Sequence, residues 1–157
     1  MQGKKVSETR VVTVSPMSPQ EANTAGNVSG GVIMRIIDLA GGIVAQRHTR
    51  MNVVTASVDR IDFLHPAYIG DVIFAHASLN FVGRTSLEVG VRVESENTRT
   101  GQIRHIASAF LTYVALNPEG RPVEVPPLIL ETTEDKRRNQ AAQLRREIRV
   151  KTRRKTD

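Results

Sequence analysis

Asp38 stands in the middle of an apolar run, between Ile37 and Leu39. From Gly30 to Arg47 the residues Val32, Ile33, Met34, Ile36, Ile37, Leu39, Ala40, Ile43, Val44 and Ala45 leave almost no polar face. An ionised carboxylate among such neighbours costs several kcal/mol unless it is paired or hydrogen-bonded. Two roles follow. A salt bridge to Arg35, one turn earlier, would make the acid structural. A carboxylate held at a cleft that a substrate can enter would serve as a general base near neutral pH. Gly41 and Gly42 follow on the next turn. Each costs about 1 kcal/mol relative to Ala inside a helix, so they are expected to admit a closely packed backbone or to leave room beside Asp38 for a bulky chain. The segment before the helix reads Ala25-Gly26-Asn27-Val28-Ser29-Gly30-Gly31. The first N–H groups of a helix lack internal acceptors and carry partial positive charge. Aimed at a carbonyl oxygen they form an oxyanion hole, and Gly30 and Gly31 let that carbonyl come close. The plainer alternative is an ordinary N-cap, with Ser29 as the capping side chain.

Spacing constrains how these groups meet. Asp38 lies eight residues past Gly30, about 12 Å along a helix axis, and Asn27 lies beyond the other end of that span. Two short side chains on one chain hardly meet over a single reacting carbon. Two antiparallel helices facing each other across a two-fold axis bring one chain's Asp38 beside the other's helix start, so a composite site at a dimer interface is expected.

The elements around them follow from periodicity. Residues 8–14 read as a short β-branched strand and 15–29 as a loop with two prolines. Gly30–Arg47, apolar all round, reads as a buried helix. Asn52–Leu64, Asp71–Val82, Ser86–Glu96 and Ile103–Leu116 read as strands, with Ile73, Ala75, Ala77, Leu79 and Phe81 on one face of the second. In the third, Leu87, Val89, Val91 and Val93 alternate with Glu88, Arg92, Glu94 and Glu96. Short turns at Gly83-Arg84 and Thr98–Gly101 make these antiparallel neighbours. After four prolines, Thr132 or Thr133 caps a final helix, with Glu134 and Asp135 in its first turn and Arg145 and Arg146 near its end. The pattern predicts an α+β chain, a curved antiparallel sheet wrapped round one central buried helix, plus a C-terminal helix. That is the hotdog fold, and its open sheet edge calls for at least a dimer.

Composition narrows the function. At 157 residues the chain is one domain, read as a folded body over 1–130 and a basic helix and tail over 131–157. With no cysteine, thiolate nucleophiles and cysteine-ligated zinc are excluded. Of the net charge of +6, residues 131–157 carry +5, densest at Arg149, Lys151, Arg153, Arg154 and Lys155. A nearly neutral body with 4% aromatics argues against nucleic-acid binding. The basic end reads as a solvated tail, or as an approach for a phosphorylated ligand or anionic partner. No apolar stretch is long enough to span a membrane, and the start has no apolar signal core, so a cytoplasmic protein is expected. His48 reads as a partner for the C-terminal dipole of the central helix. None of the four histidines has metal-ligand spacing, so no metal and no cofactor are expected. No Ser-His-Asp arrangement with a nucleophile elbow is present.

Asn27-Val28-Ser29-Gly30-Gly31, Ile36-Ile37-Asp38-Leu39-Ala40-Gly41 and Arg47-His48 together resemble the hotdog acyl-CoA thioesterases, most closely the cytosolic acyl-CoA hydrolase branch. Val53–Asp59, Ile61-Asp62-Phe63, Gly70-Asp71, Gly83-Arg84-Thr85-Ser86 and Ala109–Ala115 extend the likeness over residues 10–150. The resemblance implies hydrolysis of fatty acyl-CoA to free acid and CoA. Asp38 would activate the water as general base, or attack directly through an anhydride. Asn27 would orient the water or the thioester, and the Gly31 N–H would polarise the carbonyl. Gly83, Arg84, Thr85 and Ser86 would lie near the CoA nucleotide, with Arg84 on a phosphate; an ordinary hairpin turn is the alternative. Dimers assembling into a hexamer are implied, each dimer with two complete sites. A non-catalytic acyl-CoA-binding module of the same fold is the alternative function. A hotdog dehydratase would need a His–carboxylate pair, and the helix offers no His near Asp38.

Overall fold

A computed structural model describes residues 1–156; Asp157, the end of the segment read as a basic tail, lies outside the described residues. Five strands form one antiparallel sheet in the order β2-β4-β5-β6-β3: β2 (Val11–Pro16), β3 (Asn52–Phe63), β4 (Val72–Val82), β5 (Ser86–Glu96) and β6 (Ile103–Leu116). The central helix α2 spans Gly30–Thr49 and lies on the concave face. Two further pieces precede β2, the two-residue strand β1 (Lys4–Lys5) and one helical turn, α1 (Val6–Thr9). β1 runs parallel to β7 (Leu128–Ile129). The long helix α3, Thr133–Thr156, crosses the convex face. The architecture is the expected hotdog arrangement. No helix among the described residues is long and apolar enough to cross a membrane.

The sheet can wrap α2 because its inner face is lined with small residues. Ala75, Ala77, Ala107, Ala109 and Ala115 are buried there, so the helix axis approaches the strands closely. Around them Ile73, Leu79, Leu87, Val89, Val93 and Leu111 interlock with Ile33, Ile37, Ala40 and Val44 of α2. Strand alternation with period two fixes which side chains point inward. The register shifts at four places, two between β3 and β6, one between β4 and β5 and one between β5 and β6. A register irregularity between Leu79 and Phe81 takes Phe81 out of the inner face, where the pattern placed it, and its ring meets Arg146 of α3 instead.

Two further expectations change. The helix is not buried all round. Met34, Leu39 and Ile43 remain 49, 54 and 40% exposed, on the side of α2 that the sheet does not cover. Beside them runs the edge strand β3, twelve residues long and paired on one side only, with Val54 and Val58 exposed. The start of the chain also differs. Residues 6–9 form the turn α1 rather than the beginning of a strand. The residues before that turn serve α2: Lys4 Nζ, from β1, donates to the carbonyls of Arg47 (3.0 Å) and His48 (2.7 Å). The cation at the helix C-terminus is therefore Lys4. His48 is buried, its Nε2 lies 2.7 Å from the Pro126 carbonyl oxygen, and burial holds its pKa below 6.5.

α3 is a docked helix through much of its length. Thr132 Oγ1 accepts from Asp135 N, and the Asp135 carboxylate accepts from Glu131 N and Thr132 N, so Thr132 is the cap. Downstream, Asn139 Nδ2 donates to the Asn80 carbonyl on β4. Arg145 grips Glu88 on β5 through two bonds of 3.1 and 2.7 Å and lies 3.6 Å above the Phe110 ring of β6. Arg149 reaches Asp59 on β3 at 2.6 Å. Glu88 is only 2% exposed. The polar side of β5, which alternation assigns to solvent, is covered at this point.

Candidate functional site

Asp38 leaves α2 on its uncovered side and is exposed in the single chain. The desolvation cost expected from the sequence is absent there, and no ion pair joins it to Arg35 among the described residues. Two hydroxyls hold it instead. Thr55 Oγ1 on β3 donates to Asp38 Oδ1 at 2.7 Å, and Tyr113 OH on β6 lies 3.1 Å from the same oxygen and 3.0 Å from the Asp38 carbonyl. Burial first, and the adjacent carboxylate second, push the Tyr113 phenol well above its ordinary pKa. It therefore keeps its proton and acts as a fixed donor. Asp38 Oδ2 accepts no hydrogen bond among the described residues. The result is a carboxylate whose direction is set by neutral donors and whose second oxygen is open.

Gly41 explains how Tyr113 reaches the acid. A Cβ at that position would lie 2.5 Å from the phenolic oxygen and 3.2 Å from two ring carbons. The glycine makes space for a tyrosine of the same chain, neither of the two uses expected of it. Gly42 has the ring at an ordinary 3.9 Å.

The loop before α2 is tightly built. Asn23 Oδ1 accepts from Ala25 N (2.9 Å) and Asn27 N (3.1 Å), and Asn23 N donates to the Asn27 carbonyl at 2.7 Å. The Asn23 amide nitrogen keeps its two hydrogens free of protein partners among the described residues. Asn27 is half-buried and forms a backbone bridge to Tyr68. Ser29 is the N-cap, and its Oγ accepts from Gly31 N at a long 3.3 Å. Gly30 and Gly31 are exposed. Thus Asn27 and Gly31 lie together at the head of α2, while Asp38 of the same chain lies more than two turns down the helix, as the spacing requires.

Gly83–Ser86 forms the tight β4–β5 turn, closed by Gly83 N donating to the Ser86 carbonyl at 2.8 Å, and Arg84 is exposed. Leu87 pairs with Tyr113 across the sheet, so the turn sits just past the strand pair that carries Tyr113 to Asp38. A cleft of about 460 Å³ borders Gly83 and Arg84. A separate apolar pocket of about 310 Å³ touches Gly30 at the head of α2. Sequence reasoning missed Thr55, Tyr113 and Asn23. Thr55 and Tyr113 lie 17 and 75 residues from Asp38, and only tertiary contact reveals them. Asn23 was within reach, since an Asn followed two residues later by a turn Gly-containing stretch signals an Asx turn.

A family model described as Thioesterase superfamily matches residues 25–102. The chain is 40% identical to the uncharacterised acyl-CoA thioester hydrolase YkhA of Bacillus subtilis over 82% of its length and 74% of the relative's. It is 42% identical to the cytosolic acyl coenzyme A thioester hydrolase of Rattus norvegicus over 78% of its length, but spans only 32% of that longer protein. Among solved structures, a hexameric acyl-CoA thioesterase superposes with a TM-score of 0.93 at 36% identity, covering 97% of both chains. The Staphylococcus aureus acyl-CoA hydrolase, solved with butyryl-CoA, CoA and CoA disulfide, superposes with a TM-score of 0.89 at 33% identity, covering 98% of this chain and 93% of the other. Alanine variants of an Asn, an Asp and a Thr of that hydrolase are also solved; the Asp follows the Asn by 15 positions and the Thr follows the Asp by 17. Asn23, Asp38 and Thr55 stand at the same intervals here.

Proposed function

The chain belongs to the thioesterase superfamily, and from that premise we propose that it hydrolyses fatty acyl-CoA thioesters to free acid and CoA, with Asp38 as general base. The observation that carries this reading is the Asp38 carboxylate itself: anchored by Thr55 and Tyr113 and, among the described residues, unpaired with any cation and open at Oδ2. A water bound at Oδ2 gives up a proton to the carboxylate as its oxygen attacks the thioester carbonyl carbon. The developing oxyanion is stabilised by the N–H groups at a helix head, that of Gly31 and that of Gly30, which has no partner among the described residues. The bond from Gly31 to Ser29 is long and yields easily to a charged acceptor. Collapse breaks the C–S bond, and the proton held by Asp38 passes to the leaving CoA thiolate.

The helix head is supplied by a second subunit. Met34, Leu39 and Ile43 of α2 are exposed, as are Val54 and Val58 on the edge strand β3, which pairs on one side only. Burying each such side chain contributes roughly 1–2 kcal/mol. Pairing two β3 edges about a two-fold axis sets the α2 helices face to face and brings Asp38 to the partner's helix head. Within that head, Asn27 and Asn23 act together. The shared intervals and the free amide of Asn23 favour it as the group that touches water or thioester, and Asn27 holds it through its backbone. Gly83, Arg84, Thr85 and Ser86 offer a turn with an exposed guanidinium for a CoA phosphate. Dimers assemble further into a hexamer, the state named for the structural neighbour at 36% identity.

The test is release of free thiol from a panel of acyl-CoA esters by the purified protein, beside the Asp38→Asn variant. Turnover that disappears in the variant while CoA still binds supports the reading. Binding without turnover in the unaltered protein would establish an acyl-CoA-binding module instead.

A further inference from the structure

α3 is longer than the sheet beneath it is wide. Asn139 bonds to β4, Arg145 to β5 and onto the Phe110 ring of β6, and Arg149 to β3. From Asn139 to Arg149 a helix advances about 15 Å, and the strand spacings from β4 through β5 and β6 to β3 add up to about 14 Å. The helix therefore crosses the strands close to a right angle and reaches the edge strand at Arg149. It continues to Thr156, about 10 Å further, the width of about two more strands. In the single chain β3 ends the sheet there, and residues 150–155 are exposed. When two β3 edges pair about a two-fold axis, those positions are filled by the β3 and β6 strands of the partner. We propose that the end of α3 is a clasp on the convex face of a second copy of this chain, the two α3 helices passing each other antiparallel across the dyad. The inference rests on the dimer proposed above and extends it to the face of the sheet away from Asp38.

Sequence and charge both suit that occupant. Val150, Thr152 and Thr156 are weak helix formers, yet the helix runs through them. Helices in proteins are sustained mainly by packing, and past Arg149 the packing surface has to come from another chain. Lys151, Arg154 and Lys155 meet no carboxylate among the described residues. The edge strand offers one. Arg60 pairs with Phe110 and Asp62 with Ser108 across β3 and β6, which puts Asp62 on the side of the sheet that α3 crosses. Its ion pair with Arg60 is loose, the arginine being 77% exposed, so the Asp62 carboxylate remains accessible to cations arriving on a second helix. A two-fold axis makes each such contact twice.

The chain has no cysteine, so single introduced thiols carry spin labels cleanly. Arg137→Cys, Leu144→Cys, Lys151→Cys and Lys155→Cys replace exposed residues along α3, where the fold is not at stake. The helix crosses the dyad midway between the two β3 strands, near residue 151. Along the axis the two labels of a dimer then stand about 40 Å apart at 137, about 20 Å at 144 and close together at 151, and separate again by about 12 Å at 155. Side-by-side packing adds about 10 Å across. Intersubunit distances below about 20 Å at both 151 and 155 support the clasp, and distances above that at both positions overturn it. The second arm ends the chain at Arg149, which leaves the bonds of Arg145 and Arg149 in place. Sedimentation equilibrium then reads a dimer dissociation constant raised by about tenfold or more. A shortened chain that keeps its dimers at the same concentration overturns the clasp, and so does one that loses hexamers but not dimers. An unaltered chain that stays monomeric at every concentration overturns the dimer and the clasp together. Neither readout uses turnover, so the hydrolase reading stands or falls separately, on thiol release.

Discussion

Two acids, Glu88 on the convex face of the sheet and Asp38 on the helix that lies along its concave face, are held in opposite ways. On the convex face, Glu88 is buried under α3 and saturated: a guanidinium grips both its oxygens and Asn80 Nδ2 donates a third bond at 3.1 Å. On the concave side, Asp38 is open to one side and meets two neutral hydroxyls that occupy one oxygen only. A carboxylate neutralised by a cation joins two elements and is spent in doing so. One oriented by hydroxyls alone is left with an open oxygen. The kind of donor, more than the degree of burial, separates the acid that joins two elements from the one proposed above as the general base.

The contrast predicts different losses on the two faces. Asp38→Asn preserves the bonds from Thr55 and Tyr113 but cannot take a proton, so thiol release falls by about 10³-fold or more, with an unchanged urea midpoint. Arg145→Met does the reverse. It leaves Glu88 buried with Asn80 alone and costs about 2–3 kcal/mol of stability, discounted because Arg145 is partly exposed. The rate per folded molecule stays within about twofold, and adding Glu88→Leu restores most of the lost midpoint. If Arg145→Met abolishes activity in fully folded protein, the division between the faces is wrong. Tyr113→Phe removes one hydroxyl from the concave acid. Hydrogen bonds to charged groups contribute about 1.5 kcal/mol or more, so kcat falls about tenfold; equal loss from Thr55→Ala would show that the two donors share the load.

The smallest effect lies outside both acids. His48 is buried with its pKa depressed by desolvation, so the unfolded chain binds its proton more readily. Stability from this group is full above pH 6.5 and declines as pH falls below it. Urea midpoints at pH 7.5 and 5.5 should differ by less in His48→Gln than in the unaltered protein.

How much of this was legible in the sequence depends on range. The Ser86–Glu96 and Ile103–Leu116 strands match the structure residue for residue, because period-two alternation is local. α2 ends two residues later than expected, at Thr49, where Arg50 adopts a left-handed φ of 57° that no residue type announces. Asp38 was conspicuous because a charge in an apolar run is a local anomaly. Its partners were invisible, since Thr55 and Tyr113 become neighbours only when β3 and β6 pair. Glu88 looked like an outward-facing residue because alternation says which side a residue takes and not what covers that side. α3, whose charge resembles a solvated tail, covers it.

Gly41 carries one last consequence. It holds no proton, makes no bond to a ligand and would be overlooked in any inventory of functional groups. Yet adding even a methyl there drives the phenol away from the acid, 2.5 Å being too short for any contact. In a library of random variants screened for turnover, this featureless position should prove as intolerant as the aspartate three residues before it, because what it contributes to the reaction is emptiness.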